Sequence, residues 1–394
     1  MSNARSFLRY ARIMQDRRQD LMADTGALSE LPNRLLEDGI KRIYFISGKQ
    51  TKKLKLYDAF LEDLESKGIR CFTCDKVDAS TDGRIIETCA TECRNYNCEA
   101  IVAFGGGTVI DIAKLVSAWV ANAERSLYQM RGIGKIPNPG VDLHVISTTG
   151  SGAESSACSF VRYDQQTCLF YSEHLIPKSV VLDPDLLLRL PMDNLAAAGL
   201  FALTHAIEAY VSLQAEEFPA DKANVMVAVP IFFSYLEKCY RRGGVSNDMY
   251  LQLMMASYYS GIATRRIGFG YAHCFAMRIS EKYDIMPGHA CAAVLPEILR
   301  YEFDKISKPL SELAKAAHLC SARASEEQAA LALIEGVESL CRRVQLPASL
   351  TCLKSEDFNG IIEMVQLDSK QWGCPKRITA KTAVDLMRNF KLRD

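Results

Sequence analysis

Tryptophan and histidine are scarce in this chain, with 2 and 6 copies among 394 residues. Net charge is absent too, because 47 lysines and arginines balance 47 aspartates and glutamates. A nucleic-acid binder carries a basic excess and an anionic-membrane binder a basic cluster, so neither partner is expected. No apolar run nears the roughly 18 residues that suggest a membrane span; residues 225–233 come closest. No secretory signal pattern is visible, which makes a cytoplasmic protein with reduced thiols the expectation.

Hydrophobic residues make up 48% and charged residues 24%, the balance of a globular protein rather than a disordered one. The length suits two or three domains with sizeable cores. Fourteen cysteines are spread along the chain without the density of a disulfide scaffold. Cys71, Cys74, Cys89 and Cys93 imitate a zinc-site spacing. However, 70–77 reads as a strand, where residues three apart face opposite ways, and Cys89 and Cys93 share one helix face. Small buried side chains are the expectation there. Arg5, Arg9 and Arg12 resemble a mitochondrial presequence, but Asp16 and Asp20 break the pattern, and an ordinary N-terminal helix is expected.

Up to about residue 184, short β-rich runs alternate with helical stretches. The runs at 43–47, 100–104 and 141–147 read as buried strands, while 55–67 has helical spacing, with Tyr57, Leu61 and Leu64 on one face. This alternation predicts an α/β domain over residues 1–184, a parallel sheet with helices on both faces. After Asp183-Pro184 the texture changes. Residues 195–213, 221–241, 247–264 and 325–344 read as helices, the last opened by Ser325 and Gln328 at capping-box spacing. Residues 185–394 are therefore expected to form an all-helical domain, with a ligand cleft between the two halves.

Two loops follow predicted strands. The first, Gly105-Gly106-Gly107-Thr108, opens a helix that continues through Asp111 and Lys114. Glycines let the backbone approach a pyrophosphate, a helix N-terminus offers N–H groups to it, and Thr108 can cap the helix. The second loop, 147–154, holds Thr148, Thr149 and Ser151 among glycines and suits a ribose or a phosphate. Either alone can be a ligand-free turn; together they point to a nucleotide. Farther on, His205, His273 and His289 stand in helical or loop segments.

These loops, the run 202–210 (ALTHAIEAY) and the closing Cys374-Pro375-Lys376 appear in the order that marks a known family. The chain resembles the iron-containing (group III) alcohol dehydrogenases, relatives of the dehydroquinate-synthase fold, from Thr25 to Lys376. The resemblance implies an NAD- or NADP-binding Rossmann-like domain and a helical metal domain. It also implies hydride transfer between cofactor and a carbonyl, with a metal polarising the oxygen. It places Gly105, Gly106, Gly107, Thr108, Asp111, Thr148, Thr149 and Ser151 on the cofactor, and makes a homodimer the expectation by analogy.

The departures concern the metal. The family uses an aspartate and three histidines. Here the aspartate position is Phe201, two histidines are kept as His205 and His273, and the last position is Pro287. A nearby family histidine is Met277. Benzyl and pyrrolidine rings donate no lone pair, and losing even a group that merely orients a ligand costs ~10–100-fold in affinity. His289 would join only through a shifted loop. Tightly bound iron or zinc is therefore not expected. His205 and His273 remain as residual ligands, and His273, His205 or His289 becomes the candidate proton donor of a metal-independent reduction.

The end of the first long strand bears on cofactor choice. NAD-preferring relatives carry an aspartate there; this chain has Gly48, then Lys49, Lys52 and Lys53, which favours the 2′-phosphate of NADP. Three functions compete. The first is an NADP(H)-preferring reductase of small aldehydes or ketones that lacks the standard metal. The second is a nucleotide-binding pseudoenzyme. The third is a non-redox lyase of the dehydroquinate-synthase type, against which the 202–210 helix argues.

Overall fold

A computed structural model of the protein describes residues 2–15, 17–78, 81–164 and 166–391; Asp16 lies outside them. One compact unit comprises residues 14–190 together with 246–258. Its strands are β1 (Asp20–Ala23), β2 (Arg42–Gly48), β3 (Arg70–Val77), β4 (Ala100–Gly105), β5 (Gly132–Ile133), β6 (Asp142–Ser147), β7 (Cys158–Tyr163), β8 (Gln166–Tyr171) and β9 (Ser179–Leu182). Six of them form an all-parallel sheet in the order β1-β9-β6-β4-β2-β3, and β5, β8 and β7 make a second sheet.

Helices cover both faces of the parallel sheet, which is why its central strands β2 and β4 read as largely apolar runs. Alternate residues of β2 divide between two cores. Tyr44 and Ile46 join Ile101, Val145 and residues of the helices Arg84–Asn95 and Gly107–Val120. Ile43 and Phe45 join Val102, Phe104, Ile146 and residues of the helices Leu31–Glu37 and Asp58–Ser66. Phe104 sits among Phe45, Tyr57 and Phe60 at ring separations of 5.6–6.3 Å, contacts worth about 0.5–1.5 kcal/mol each beyond the area they bury. The cysteines obey the same alternation. Cys71 faces one core, Cys74, Cys89 and Cys93 the other, and no two of the fourteen cysteines form a disulfide.

After β2 the chain adds β3 on one side, then returns to add β4, β6 and β9 on the other. That reversal makes the carboxyl ends of β2 and β4 the topological switch point, where α/β sheets hold their ligands. Gly48 ends β2 and Gly105 ends β4.

The second unit gathers residues up to 13, 191–245 and 259 onward. Its helices include Met192–Val211, Pro219–Arg241, Tyr271–Tyr283, Pro287–Ala316, Glu326–Arg343, Phe358–Asp368 and Ala380–Lys391. No strand follows β9 among the described residues. The capping box is present: Gln328 N–H donates to Ser325 Oγ at 3.2 Å, and Ser325 N–H to Gln328 Oε1 at 3.1 Å. The units are not contiguous stretches of chain. The N-terminal helix Ser2–Ile13 packs in the helical unit, with Phe7 edge-on to Trp372 at 5.0 Å. The start of helix Asn247–Ile267 packs in the α/β unit, where Ser155 Oγ donates to Tyr258 O at 2.6 Å. Among the described residues, no helix is long and apolar enough to cross a membrane.

His144 supplies a test of the α/β core. It is fully buried in β6, with Nδ1 2.7 Å from Ser179 Oγ, and burial lowers its pKa to about 4. Asp142, Asp38 and Asp20 oppose that shift and Lys178 adds to it. Because the folded pKa lies below the unfolded value, this contribution to stability is present above about pH 6.5 and is lost as the pH falls toward about 4. The His144→Gln variant should lose about 3 kcal/mol less than the parent over that window. Urea denaturation at a series of pH values measures the difference, and parallel pH profiles for the two proteins would contradict it.

Candidate active site

β4 runs directly into the helix Gly107–Val120, whose N-cap is Gly106 and whose first N–H groups no side chain caps. Crowding explains the glycines. A Cβ on Gly105 would lie 2.7 Å from Val109, one on Gly106 2.8 Å from Thr149, and one on Gly107 3.3 Å from Ser151 Oγ. Thr148 N–H donates to Gly105 O at 3.1 Å, so the two glycine-rich loops are one structure. Thr148 is buried and Thr108 exposed, while Thr149 Oγ1 and Ser151 Oγ are buried without hydrogen-bond partners. Uncapped N–H groups beside orphaned hydroxyls form a cradle of donors of the kind that can hold an anion.

Asp111 and Lys114 serve that cradle from behind. Asp111 accepts the Phe160 N–H at 2.9 Å, and the fully buried Lys114 donates to Ser156 O, Ser156 Oγ and Cys158 O, each at 2.9 Å. Burial raises the Asp111 carboxyl to about 6, with the Lys114 charge opposing it. One carboxylate oxygen of Asp111 is therefore committed to β7.

At the other side of the switch point, Gly48 N–H donates to Thr51 Oγ1 at 3.1 Å, and that hydroxyl returns a bond to Gly48 O at 2.7 Å. Lys49 is paired with Asp78 and Lys52 with Asp75. Sequence spacing did not reveal these carboxylates, because β3 brings them alongside β2 from some 25 residues away.

In the helical unit, Phe201 and His205 lie four residues apart on helix Met192–Val211 and so share a face. His205 Nε2 is 3.0 Å from Nδ1 of His273, the third residue of helix Tyr271–Tyr283. Aromatic rings enclose the pair. Phe201 sits 4.2 Å from the His205 ring and 5.7 Å from that of His273, while Phe269 stacks on His273 at 4.1 Å and 19°. Trp372 meets Phe269 edge-on at 5.2 Å. Burial drives the His205 pKa down to about 3, and burial with His205 beside it lowers that of His273. Burial thus favours the neutral form of both rings, in which each carries a single N–H. Glu208, three residues after His205, accepts the N–H of Ala272 at 2.6 Å and of His273 at 3.2 Å, and so fixes the start of the helix that carries His273.

His289 does not complete this group by its recorded contact. Its Nε2 lies 2.8 Å from Asp193 Oδ1, at the start of helix Met192–Val211. Pro287 is the first residue of helix Pro287–Ala316, a position that suits a fixed φ and a missing N–H. A Cβ on the next residue, Gly288, would lie 1.9 Å from Ala197 O, so these two helices touch backbone to backbone. Among the described residues, no three His, Cys, Asp or Glu side chains gather in a metal-holding group. Phe269, Trp372 and Asp193 were not anticipated, since nothing in their local sequence marks them as neighbours of the histidines.

Comparison with known proteins agrees with this geometry. Residues 19–184 match the family model "Iron-containing alcohol dehydrogenase", and residues 195–390 match its C-terminal domain. The chain is 27% identical over 371 residues to 1,3-propanediol dehydrogenase of Citrobacter freundii, covering 92% of this chain and 95% of that one. The crystal structure of a 1,3-propanediol oxidoreductase superposes with a TM-score of 0.88 at 25% identity, covering 94% and 97% of the two chains. Sulfoacetaldehyde reductase from Bifidobacterium kashiwanohense, solved in complex with NAD+, has the same fold, with a TM-score of 0.84 at 18% identity and coverage of 97% and 100%. With residues 19–184 and 195–390 both matched, the chain belongs to the iron-containing alcohol dehydrogenase family.

Proposed function

We propose that the protein interconverts a small alcohol and its aldehyde or ketone with a nicotinamide dinucleotide, and does so without tightly held iron or zinc. The cradle at the end of β4 is the observation that carries the redox half of this reading. The residues present fit a dinucleotide. Uncapped N–H groups of helix Gly107–Val120 and the hydroxyls of Thr149 and Ser151 would hold its pyrophosphate. NAD(P)H, when bound, supplies the hydride. Relatives named for 1,3-propanediol and lactaldehyde support a small alcohol or carbonyl as substrate.

The metal is a different matter, because the donor set does not fit it. Sites of this kind take three or four protein ligands. Here Phe201 and Pro287 offer none, His289 is engaged with Asp193, and His205 and His273 spend one nitrogen each on the other. What the neutral pair can do is orient hydrogen. Whichever ring donates across the 3.0 Å contact, the two-ring chain presents an N–H at one end only. A neutral imidazole N–H can polarise a carbonyl as a hydrogen-bond donor. A second reading, a nucleotide-binding protein without turnover, draws on the burial of both rings, which are 6% and 2% exposed.

Cofactor choice rests on β2. Gly48 puts no carboxylate where a 2′-phosphate would lie, which supports NADP(H); Asp78 and Asp75 on the neighbouring lysines weigh toward NAD(H). Calorimetric titration should give tighter binding of NADP(H), with Gly48→Asp reversing the order. The Gly106→Val variant should lose both cofactors by at least about tenfold, because its side chain would fill the space against Thr149. Unchanged affinity in that variant would remove the dinucleotide reading, and NAD(H) binding as tightly as NADP(H) in the parent would remove the preference.

The metal reading is checked by elemental analysis and an NADPH-oxidation screen over small aldehydes. Protein purified without added metal should hold no stoichiometric iron or zinc, and its turnover should be indifferent to chelator. Phe201→Asp combined with Pro287→His should confer divalent-metal binding that chelator removes. One tightly held metal per chain in the parent would overturn the metal-free mechanism; absence of turnover with every aldehyde would favour the second reading.

A further inference from the structure

The loop that follows β6 is closed by a carboxyl to which no role has yet been given. Ser147 ends the strand and Glu154 ends the loop, and both side chains are fully buried. Between them Gly150 and Gly152 take φ angles of 61° and 87°, left-handed conformations that a Cβ disfavours. The N–H of each glycine is taken by a side chain from one end of the loop. Gly150 N–H donates to Ser147 Oγ and Gly152 N–H to Glu154 Oε1, both at 3.3 Å. Ser151, between the two glycines, is thereby held on both sides.

Capture of those two N–H groups decides what the loop presents. Its unbonded groups are Thr149 Oγ1 and Ser151 Oγ. They lie against the start of helix Gly107–Val120, where a Cβ on Gly107 would sit 3.3 Å from Ser151 Oγ and 4.0 Å from Ala153 Cβ. The main chain has anchors of its own. Glu154 O accepts from Gln19 Nε2 at 3.1 Å, and Gly152 O accepts the N–H groups of Ser155 and Ser156 at 3.3 and 3.2 Å. None of these bonds uses the Glu154 carboxyl. That carboxyl is costly to bury, the more so because Oε2 has no hydrogen bond. Burial raises its pKa, while its own N–H, that of Gly152, Lys114 and Ser147 oppose the shift.

We propose that Glu154 is a positioning residue of the cofactor site: by holding the Gly152 N–H, its carboxyl keeps the Ser151 hydroxyl where the pyrophosphate of a nicotinamide dinucleotide is received. This role rests on the dinucleotide reading of the cradle and adds to it a residue that does not itself touch the cofactor. Removing the acceptor leaves a buried N–H without a partner and frees the peptide beside Ser151 to turn. The negative charge is not required, since an amide oxygen accepts the same bond.

The test is calorimetric titration of the full chain with NADPH and with NADH. Glu154→Ala should bind both more weakly, by about tenfold or more. Glu154→Gln keeps an acceptor for Gly152 and carries no charge to repel a pyrophosphate, so it should match or exceed the parent's affinity. Ser147→Ala, which releases the Gly150 N–H at the other end of the loop, should weaken binding in the same direction. Circular dichroism checks that the variants stay folded; if Glu154→Ala does not, the other two decide. Parent affinity in Glu154→Ala, or a loss in Glu154→Gln of tenfold order, would overturn the role of Glu154 alone. With Glu154→Ala unfolded, parent affinity in Ser147→Ala would do the same. A parent that binds neither dinucleotide would overturn the reading of the cradle and this role with it.

Discussion

The α/β unit depends on one close approach: β4 meets the helix Gly107–Val120 with no room for a side chain on Gly105 or Gly106. That contact leaves the helix's first N–H groups uncapped at the carboxyl edge of the sheet. It also brings the loop after β6 alongside, so that Thr149 and Ser151 hang their hydroxyls in the same place. The arrangement is held from the far side. Lys114, buried and bonded three times to the segment at Ser156 and Cys158, fixes the helix against β7. An unpaired ammonium would be costly there, and the three acceptors offset that cost. Glycines in front and a buried lysine behind are two halves of one mechanical device.

The helical unit is governed by the opposite constraint, exclusion of charge. Aromatic rings stand around His205 and His273, and desolvation keeps both imidazoles neutral. Where a carboxylate in the position of Phe201 would favour a cation, a benzyl ring favours none. Each ring uses the other as a hydrogen-bond partner through one nitrogen, while His273 Nε2 is buried without a hydrogen bond. Glu208 supports the pair indirectly by taking the N–H groups at the start of the His273 helix, and its own carboxyl is raised to about 7 by burial. The chemistry open to such a group is that of neutral hydrogen bonds.

Amino-acid pattern alone determined the elements whose cause is local. Buried parallel strands announce themselves as apolar runs, so β2, β4 and β6 were legible; the mostly half-buried β3 was read as a strand whose cysteines split between two faces. Glycines between a strand and a helix disclosed the cradle, and Ser325 with Gln328 disclosed a helix start. The pairing of Phe201 with His205 was legible because four residues make about one helical turn. Short strands such as β1, β5 and β9, and the β7–β8 hairpin with its exposed Arg162 and Gln166, carry no comparable local signal.

Tertiary structure decided everything that depends on distant partners. It joined His205 to His273 across 68 residues, and it occupied His289 with Asp193 across 96. It turned Asp111 toward β7 and set Asp75 and Asp78 against lysines that look unopposed in sequence. It also placed the N-terminal helix in the helical unit, because Phe7 finds its apolar partner in Trp372 near the other end of the chain. The physical reason is common to all of these. Hydrogen bonds and ion pairs act over a few ångströms in space, whereas a sequence orders residues only along the backbone, so a donor is legible in sequence and its acceptor is not.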